Sequence, residues 1–536
     1  MHKPTLINTL TLLACMVSSE GLHAQRTDGA QNPIIWADVP DPSVLRVGLA
    51  YYMSSTTMHM SPGVPIMKST DLVNWNIVNY AYEVLEENDQ LALRNGQNAY
   101  GKGSWASSLR FRNDTYYVVT FSYTTNRTHI YQTIDIEKGH WSAYSLNSLY
   151  HDPSLLFDDD GRAYLIFGID DIRIIELNSD VTAVQSGGLN QVIIPNSSQI
   201  AGLEFYVSAE GSHIHKVDGK YYLFLISWPR DGMRTQLVYR ADNVTGPYEG
   251  RIVLQDAGIA QGGLVDTPEG EWYAMLFQDR GSVGRVPHLI PVTWEDGWPV
   301  FGVDGRATRD LDLPVSTGVL PGIIASDEFD QYSATGGDDL DLAPVWQWNH
   351  NPDDDYWSVS ERPGYLRLTN GRVDANVEVT QNTLTQRTFG PWCSAYIAVD
   401  VTNMKDGDYA GLVALQENYG FVGVKKTGTS KSIIMMDARS DPPLEVASEP
   451  ISRDTVYLRI DIDYRDRADR ALFYFSFDGD SFEPIGDSLP MSYTLSHFMG
   501  YRFGLFSYAT KETGGFVDFD YFRVGYSFEE AQTSTP

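Results

Sequence analysis

The chain has 536 residues, with 70 acidic against 39 basic side chains and a formal net charge of −31. That length exceeds what one hydrophobic core serves, so two domains are expected. The charge repels nucleic acid and anionic membranes and suits a neutral ligand such as a sugar, although solubility alone also accounts for it.

Residues 1–24 read as an export signal. Lys3 supplies a positive start, Leu6 to Val17 an apolar run, and Leu22-His23-Ala24 before Gln25 a small-residue cleavage site. Cleavage there predicts a periplasmic protein. The alternative is Leu12-Leu13-Ala14-Cys15, which resembles a lipoprotein box and would tether the protein to a membrane through a lipidated Cys15. With Cys15 removed, Cys393 is the one cysteine left, so no internal disulfide is available. Cys393 follows Trp392 in a strand-like run and reads as a buried apolar filler.

Residues 25–313 carry five copies of one pattern, in which a short acidic or small-residue motif precedes a Tyr/Trp-rich strand. The copies are Asp41-Pro42-Ser43 before Tyr51-Tyr52, and Trp105-Ala106-Ser107 before Tyr116-Tyr117. Asp152-Pro153-Ser154 precedes Tyr164, Glu210-Gly211-Ser212-His213 precedes Tyr221-Tyr222, and Gln261-Gly262-Gly263 precedes Trp272-Tyr273. The starts lie roughly 45–65 residues apart, one propeller blade each. Hairpin signals recur at Asp160-Gly161, Asp218-Gly219 and Glu269-Gly270. No 3.6-residue apolar stripe of useful length appears. The class is therefore all-β, with a five-bladed β-propeller first.

Residues 314–324 read as a linker. After it the repeat stops, and 325–528 shows alternating strands such as Val456-Tyr457-Leu458-Arg459-Ile460-Asp461-Ile462. A C-terminal β-sandwich, concanavalin- or jelly-roll-like, fits them. Residues 529–536 read as a loose polar tail.

A propeller gathers its blade starts at the central axis, so Asp41, Asp152 and Glu210 should share one pocket. Cleaving a glycosidic bond needs one carboxyl to protonate the leaving oxygen and another to activate water or attack. A third can tune the donor's pKa or orient it. A lone Asp-Pro-Ser is usually a turn; two copies at matching blade positions, with a Glu at a third, shift the reading to chemistry. The residues alone do not say which acid plays which part. Arg285, at a fifth-blade strand start, would hold sugar hydroxyls or one acid; the plainer reading is a surface cation. Trp105, Met58 and His59 lie near blade starts and would wall a sugar, with core packing as the alternative. Asp158-Asp159-Asp160 lacks calcium-loop spacing and reads as a hairpin turn. His213 and His215 would face the same way, but without further ligands packing is the stronger reading, and no metal or cofactor is expected.

At this point the motifs resemble glycoside hydrolase family 43. The match runs through Asn32-Pro33-Ile34-Ile35-Trp36-Ala37-Asp38-Val39-Pro40-Asp41-Pro42-Ser43, then His151-Asp152-Pro153-Ser154-Leu155-Leu156-Phe157-Asp158-Asp159-Asp160-Gly161, then Glu210-Gly211-Ser212-His213. Trp346-Gln347-Trp348-Asn349-His350-Asn351-Pro352 is similar to the C-terminal module of the family's β-xylosidase-like members. The resemblance implies a propeller enzyme that inverts the anomeric centre. It assigns Asp41 as general base, Glu210 as general acid and Asp152 as the acid's tuner, with Arg285 holding substrate. Gln261, counted with the substrate-binding residues, stands where many members carry an axial His, so no metal is expected to be needed for the chemistry. Ser54-Ser55-Thr56-Thr57-Met58-His59-Met60 is similar to a bacterial branch of α-L-arabinofuranosidases. The expected activity is release of terminal arabinofuranose from arabinoxylan, xyloglucan or their oligosaccharides. A β-D-xylosidase is the close rival, and a non-catalytic carbohydrate-binding propeller is the reading from a different class.

Overall fold

The computed structural model describes residues 29–330 and 341–533; the signal segment and Cys15 lie outside them. Five four-stranded antiparallel sheets, each in simple sequence order, form a propeller. Their innermost strands are Ser43–Val47, Ser104–Arg112, Ser154–Phe157, Phe205–Val217 and Ala260–Asp266.

Strand periodicity explains how the blades stack. Successive side chains point to opposite faces, so one strand serves two interfaces. Val118 packs with Tyr52 and Ile66 of blade 1, whereas its neighbour Val119 packs with Leu155 and Leu165 of blade 3. Leu223 and Phe224 divide blade 4 between blades 3 and 5 in the same way. The ring is closed by the N-terminal segment against the end of blade 5. The Ala30 N–H donates to the Leu313 carbonyl and the Leu311 N–H to the Ala30 carbonyl, and Asn32 Nδ2 donates to the Leu289 and Thr308 carbonyls at 2.8 and 2.9 Å.

The C-terminal half is a two-sheet sandwich. Its strand Gln347–Asn349 pairs antiparallel with Met60–Ser61, a short strand inserted in blade 1, so one sandwich sheet extends into the propeller. The largest core cluster likewise joins Ile34, Val44 and Val286 to Trp346, Phe389 and Phe503. The stretch at 314–324 is not a free tether, because Val319, Ile323 and Ile324 are buried in that joint core. Nor is the tail wholly loose: Phe528–Thr533 is helical, and Ala531 is buried beside Tyr396 and Tyr521. A six-residue helix with two apolar side chains escapes a periodicity search. Cys393 is buried and unpaired.

Candidate active site

The five motif starts converge. Asp41, Trp105, Asp152, Glu210 and Gln261, one from each blade, line a single cavity of about 350 Å³. Local backbone geometry aims them there. Asp41, Asp152 and Gln261 adopt left-handed φ of 52°, 46° and 61°, and Gly211 beside Glu210 has φ 72°. Such conformations cost a non-glycine residue of order 1–3 kcal/mol and persist where the surrounding fold dictates them. The ladders of blades 2, 4 and 5 shift register between Ser104 and Ser107, Glu210 and His213, and Ala260 and Gly262. Those bulges turn one side chain out of the strand's alternation toward the axis. Gly211 has no freedom to be larger: a Cβ there would lie 2.9 Å from the Gln261 side chain.

Asp41 is buried and ion-paired. Arg285 Nη1 donates to both its oxygens at 3.1 and 3.0 Å, and Thr56 Oγ1 donates to Oδ2 at 2.5 Å. Arg285 is itself fixed. Its main-chain N–H donates to Asp38 Oδ1 at 2.7 Å, and its guanidinium lies 5.0 Å from the Phe498 ring centroid and 5.5 Å from that of Phe277. Burial disfavours its charge, but Asp41 foremost among the neighbouring groups outweighs this and raises its pKa. Arg285 is thus a buried partner of an acid, not a surface cation.

Asp152 faces different neighbours. It accepts the Gly211 N–H at 3.0 Å and stands 3.6 Å from His151 Nε2. Burial first, then the charges of Glu210 and Asp41, push its carboxyl well above the usual range, against the pull of His151 and the Gly211 N–H. His151 Nε2 lies 3.0 Å from Glu210 Oε2, while Nδ1 lies 2.9 Å from the Tyr123 hydroxyl. Burial lowers the imidazole's basicity, but Asp152, Glu210 and Asp41 more than offset it and bring it to about 9. His151 is therefore an imidazolium at neutral pH, set between two acids. Nε2 of His151 and carboxylate oxygens of Asp152 and Glu210 lie within 4.8 Å of one another, a spacing that would also admit a cation. In this arrangement Nε2 is engaged with Glu210.

The remaining wall comes from two sources. Trp228 and Phe277 belong to blades 4 and 5, and Tyr493, Leu495 and Phe498 to a loop of the sandwich. Asp38 ties that loop down by accepting the Gly500 N–H at 2.9 Å, and Trp105 packs on Phe498 at 4.9 Å between ring centroids.

Met58 and His59 are not on this wall. Met58 exchanges main-chain hydrogen bonds with Ser104, at 2.9 and 2.7 Å, and is buried. His59 turns toward the sandwich, where Nε2 lies 3.0 Å from Asn349 Oδ1 and its ring lies 4.5 Å from those of Tyr100 and His350. Burial, reinforced by His350 and His497, holds its pKa well below the ordinary value, so it is a neutral interface histidine. The physical reason is the inserted strand at Met60–Ser61, which draws the preceding residues into the domain junction. His213 is buried and His215 half-buried, with His215 Nε2 accepting the Leu264 N–H at 3.1 Å.

The fold brings further residues to the site. His151 and Thr56 stood inside motifs already singled out, one position before an acid and within the Ser/Thr run. Tyr493 and Phe498 carried no signal at all, because only the docking of the sandwich brings them there.

Comparison with known proteins identifies a family for each half of the chain. The family model described as "Glycosyl hydrolases family 43" matches residues 30–299, and "Beta xylosidase C-terminal Concanavalin A-like domain" matches 338–525. A β-xylosidase of Formosa agariphila is 30% identical over 98% of each chain. A non-reducing end α-L-arabinofuranosidase of Bacteroides ovatus is 28% identical over 73% of this chain and 74% of its own. Among solved structures, a bifunctional GH43-CE protein of Bacteroides eggerthii superposes with a TM-score of 0.91 at 53% identity. That match covers 94% of this chain, which spans 64% of the bifunctional protein's length.

Proposed function

The chain belongs to glycosyl hydrolases family 43 and is a glycoside hydrolase, and from that premise we propose that it removes terminal α-L-arabinofuranose from hemicellulose chains or their oligosaccharides by a single inverting displacement. The observation that carries this reading is the convergence of Asp41, Asp152 and Glu210 on one cavity that the sandwich loop walls on one side. A walled cavity takes a chain end, whereas an internal attack needs a cleft open at both ends.

Asp41 is the general base. Paired with Arg285 and Thr56, it presents an acceptor that takes a proton from water as the water attacks the anomeric carbon. Glu210 is the general acid, delivering its proton to the departing oxygen. Asp152, its pKa raised to about 7, keeps that proton available once it is itself ionised: its negative charge beside Glu210 then disfavours a second one. Arg285 holds Asp41 and offers its remaining donors to sugar hydroxyls, and Trp105 and Gln261 complete the binding wall. The leader-like first 24 residues support export to the periplasm.

Arabinofuranose is favoured by the resemblance of the Ser54–Met60 run to an arabinofuranosidase branch and by the Bacteroides ovatus relative. The buried position of Met58 removes any direct contact of that residue with the sugar. The β-xylosidase name of the Formosa relative favours a second reading, release of β-D-xylopyranose. Nitrophenyl α-L-arabinofuranoside and β-D-xyloside, compared at equal concentration, decide between them. Faster turnover of the xyloside reverses the order, and retention of the anomeric configuration in the product rejects the single displacement.

A further inference from the structure

We propose that the outer end of the blade 4 hairpin is a ledge that binds the leaving sugar chain. This inference rests on the assignment of Glu210 as the acid. The oxygen that Glu210 protonates departs with the leaving sugar, so the rest of the chain must lie on Glu210's side of the cavity. The structure continues outward on that side. Phe205–Val217 is the longest of the five inner strands, and its partner Lys220–Pro229 extends with it beyond Glu210. Val207 sits opposite Trp228, which lines the cavity, and the Trp228 ring lies 5.2 Å from that of Tyr206.

Tyr206 is 61% exposed, and Leu203 and Met233 beside the hairpin are 95% and 41% exposed. An exposed aromatic ring packed on the outer side of a cavity-lining tryptophan marks a binding surface. Its chemistry suits a neutral carbohydrate. Aromatic faces meet the C–H groups of pyranose rings, and the Arg230 guanidinium, 5.2 Å over the Tyr206 ring, supplies donors for hydroxyl groups. Arg234 lies 5.0 Å over the Trp228 ring and is held by Asp279 at 2.6 Å, which keeps the inner end of the ledge rigid. The occupant is therefore the pyranose backbone of the leaving chain, beyond the sugar directly attached to the scissile bond.

The test is the ratio of kcat/KM for an arabinose-substituted xylo-oligosaccharide to kcat/KM for nitrophenyl α-L-arabinofuranoside, whose aglycone is a single ring with no sugar beyond it. Tyr206→Ala should lower this ratio about tenfold, and Tyr206→Phe, which keeps the ring, should leave it near that of the wild type. An unchanged ratio in Tyr206→Ala overturns the ledge, and so does an equal loss on both substrates. If the wild type prefers xylosides, xylotriose and nitrophenyl β-D-xyloside give the same ratio. The sugar assignment then fails on the nitrophenyl pair alone, while the ledge still stands or falls on the ratio.

Discussion

Asp41 and Asp152 open equivalent strands with the same Asp-Pro-Ser tripeptide, the same left-handed backbone and nearly the same burial, 3% and 5% exposed. Their surroundings are opposite. Asp41 faces a buried guanidinium at 3.0 Å and a hydroxyl donor. Among the described residues the one ion-pair partner of Asp152 is His151 at 3.6 Å, and two further acids bear on it. The tripeptide sets where a carboxyl points, and residues from other blades decide what it can do there. A base needs its charge held in place; a tuner of a neighbouring acid needs its charge felt by that acid.

The strongest way to break the comparison is to delete the first carboxyl. Asp41→Ala should reduce kcat by ~10²–10⁴-fold, the usual worth of a general acid or base, with thermal unfolding that remains cooperative. Glu210→Ala should match it. Near-wild-type turnover in Asp41→Ala would reduce that aspartate to a turn residue and leave the two tripeptides without a functional difference.

Removing the partner instead of the acid separates charge from position. Arg285→Met leaves Asp41 buried without its counter-charge. Stripping one member from a buried ion pair typically costs about 3–5 kcal/mol. Urea unfolding should show a loss of that order together with a large drop in kcat. Arg285→Met at wild-type stability would mean that Asp41 is not held by the pair.

The contrast also shows what could be read before the fold was known. The five blades were legible because a propeller repeats its strand pattern, and Asp41, Asp152 and Glu210 were legible because that repeat puts motif starts on one axis. Arg285 was flagged by its place at a strand start, but its pairing with Asp41 joins residues 244 positions apart. Proximity in sequence misled at Met58 and His59, since a two-residue strand two positions on recruits that run into the sandwich sheet. Phe498 was invisible because its role depends on how two domains dock.

A smaller change addresses the second carboxyl. Asp152→Asn keeps the side chain's size and removes its charge. The Asp152 pKa is raised to about 7, so its charge is present on the alkaline side of neutrality, and the substitution removes there the repulsion that favours a protonated neighbour. The alkaline limb of kcat/KM should move down in pH, and activity on that limb should fall roughly tenfold for a shift of one pH unit. An unmoved limb would show that Asp152 acts only through its hydrogen bond to the Gly211 N–H.

The finest distinction is the opposite shift from the other neighbour of Glu210. His151 faces Asp152, Glu210, Asp41 and the Tyr123 hydroxyl, and its imidazole titrates at about 9, so it is cationic across the neutral range. A cation favours the ionised form of Glu210, which cannot donate. His151→Gln retains a donor toward Glu210 Oε2 without the charge, so the protonated acid persists further and the alkaline limb should move up in pH. Activity at the optimum should change only a few-fold, because no atom of His151 is assigned to the reacting bond. The wild-type and variant profiles should also draw together above about pH 9, where the native imidazole loses its own proton. An unmoved limb in His151→Gln would mean that the histidine orients Glu210 through geometry alone and that its charge is not felt at the acid.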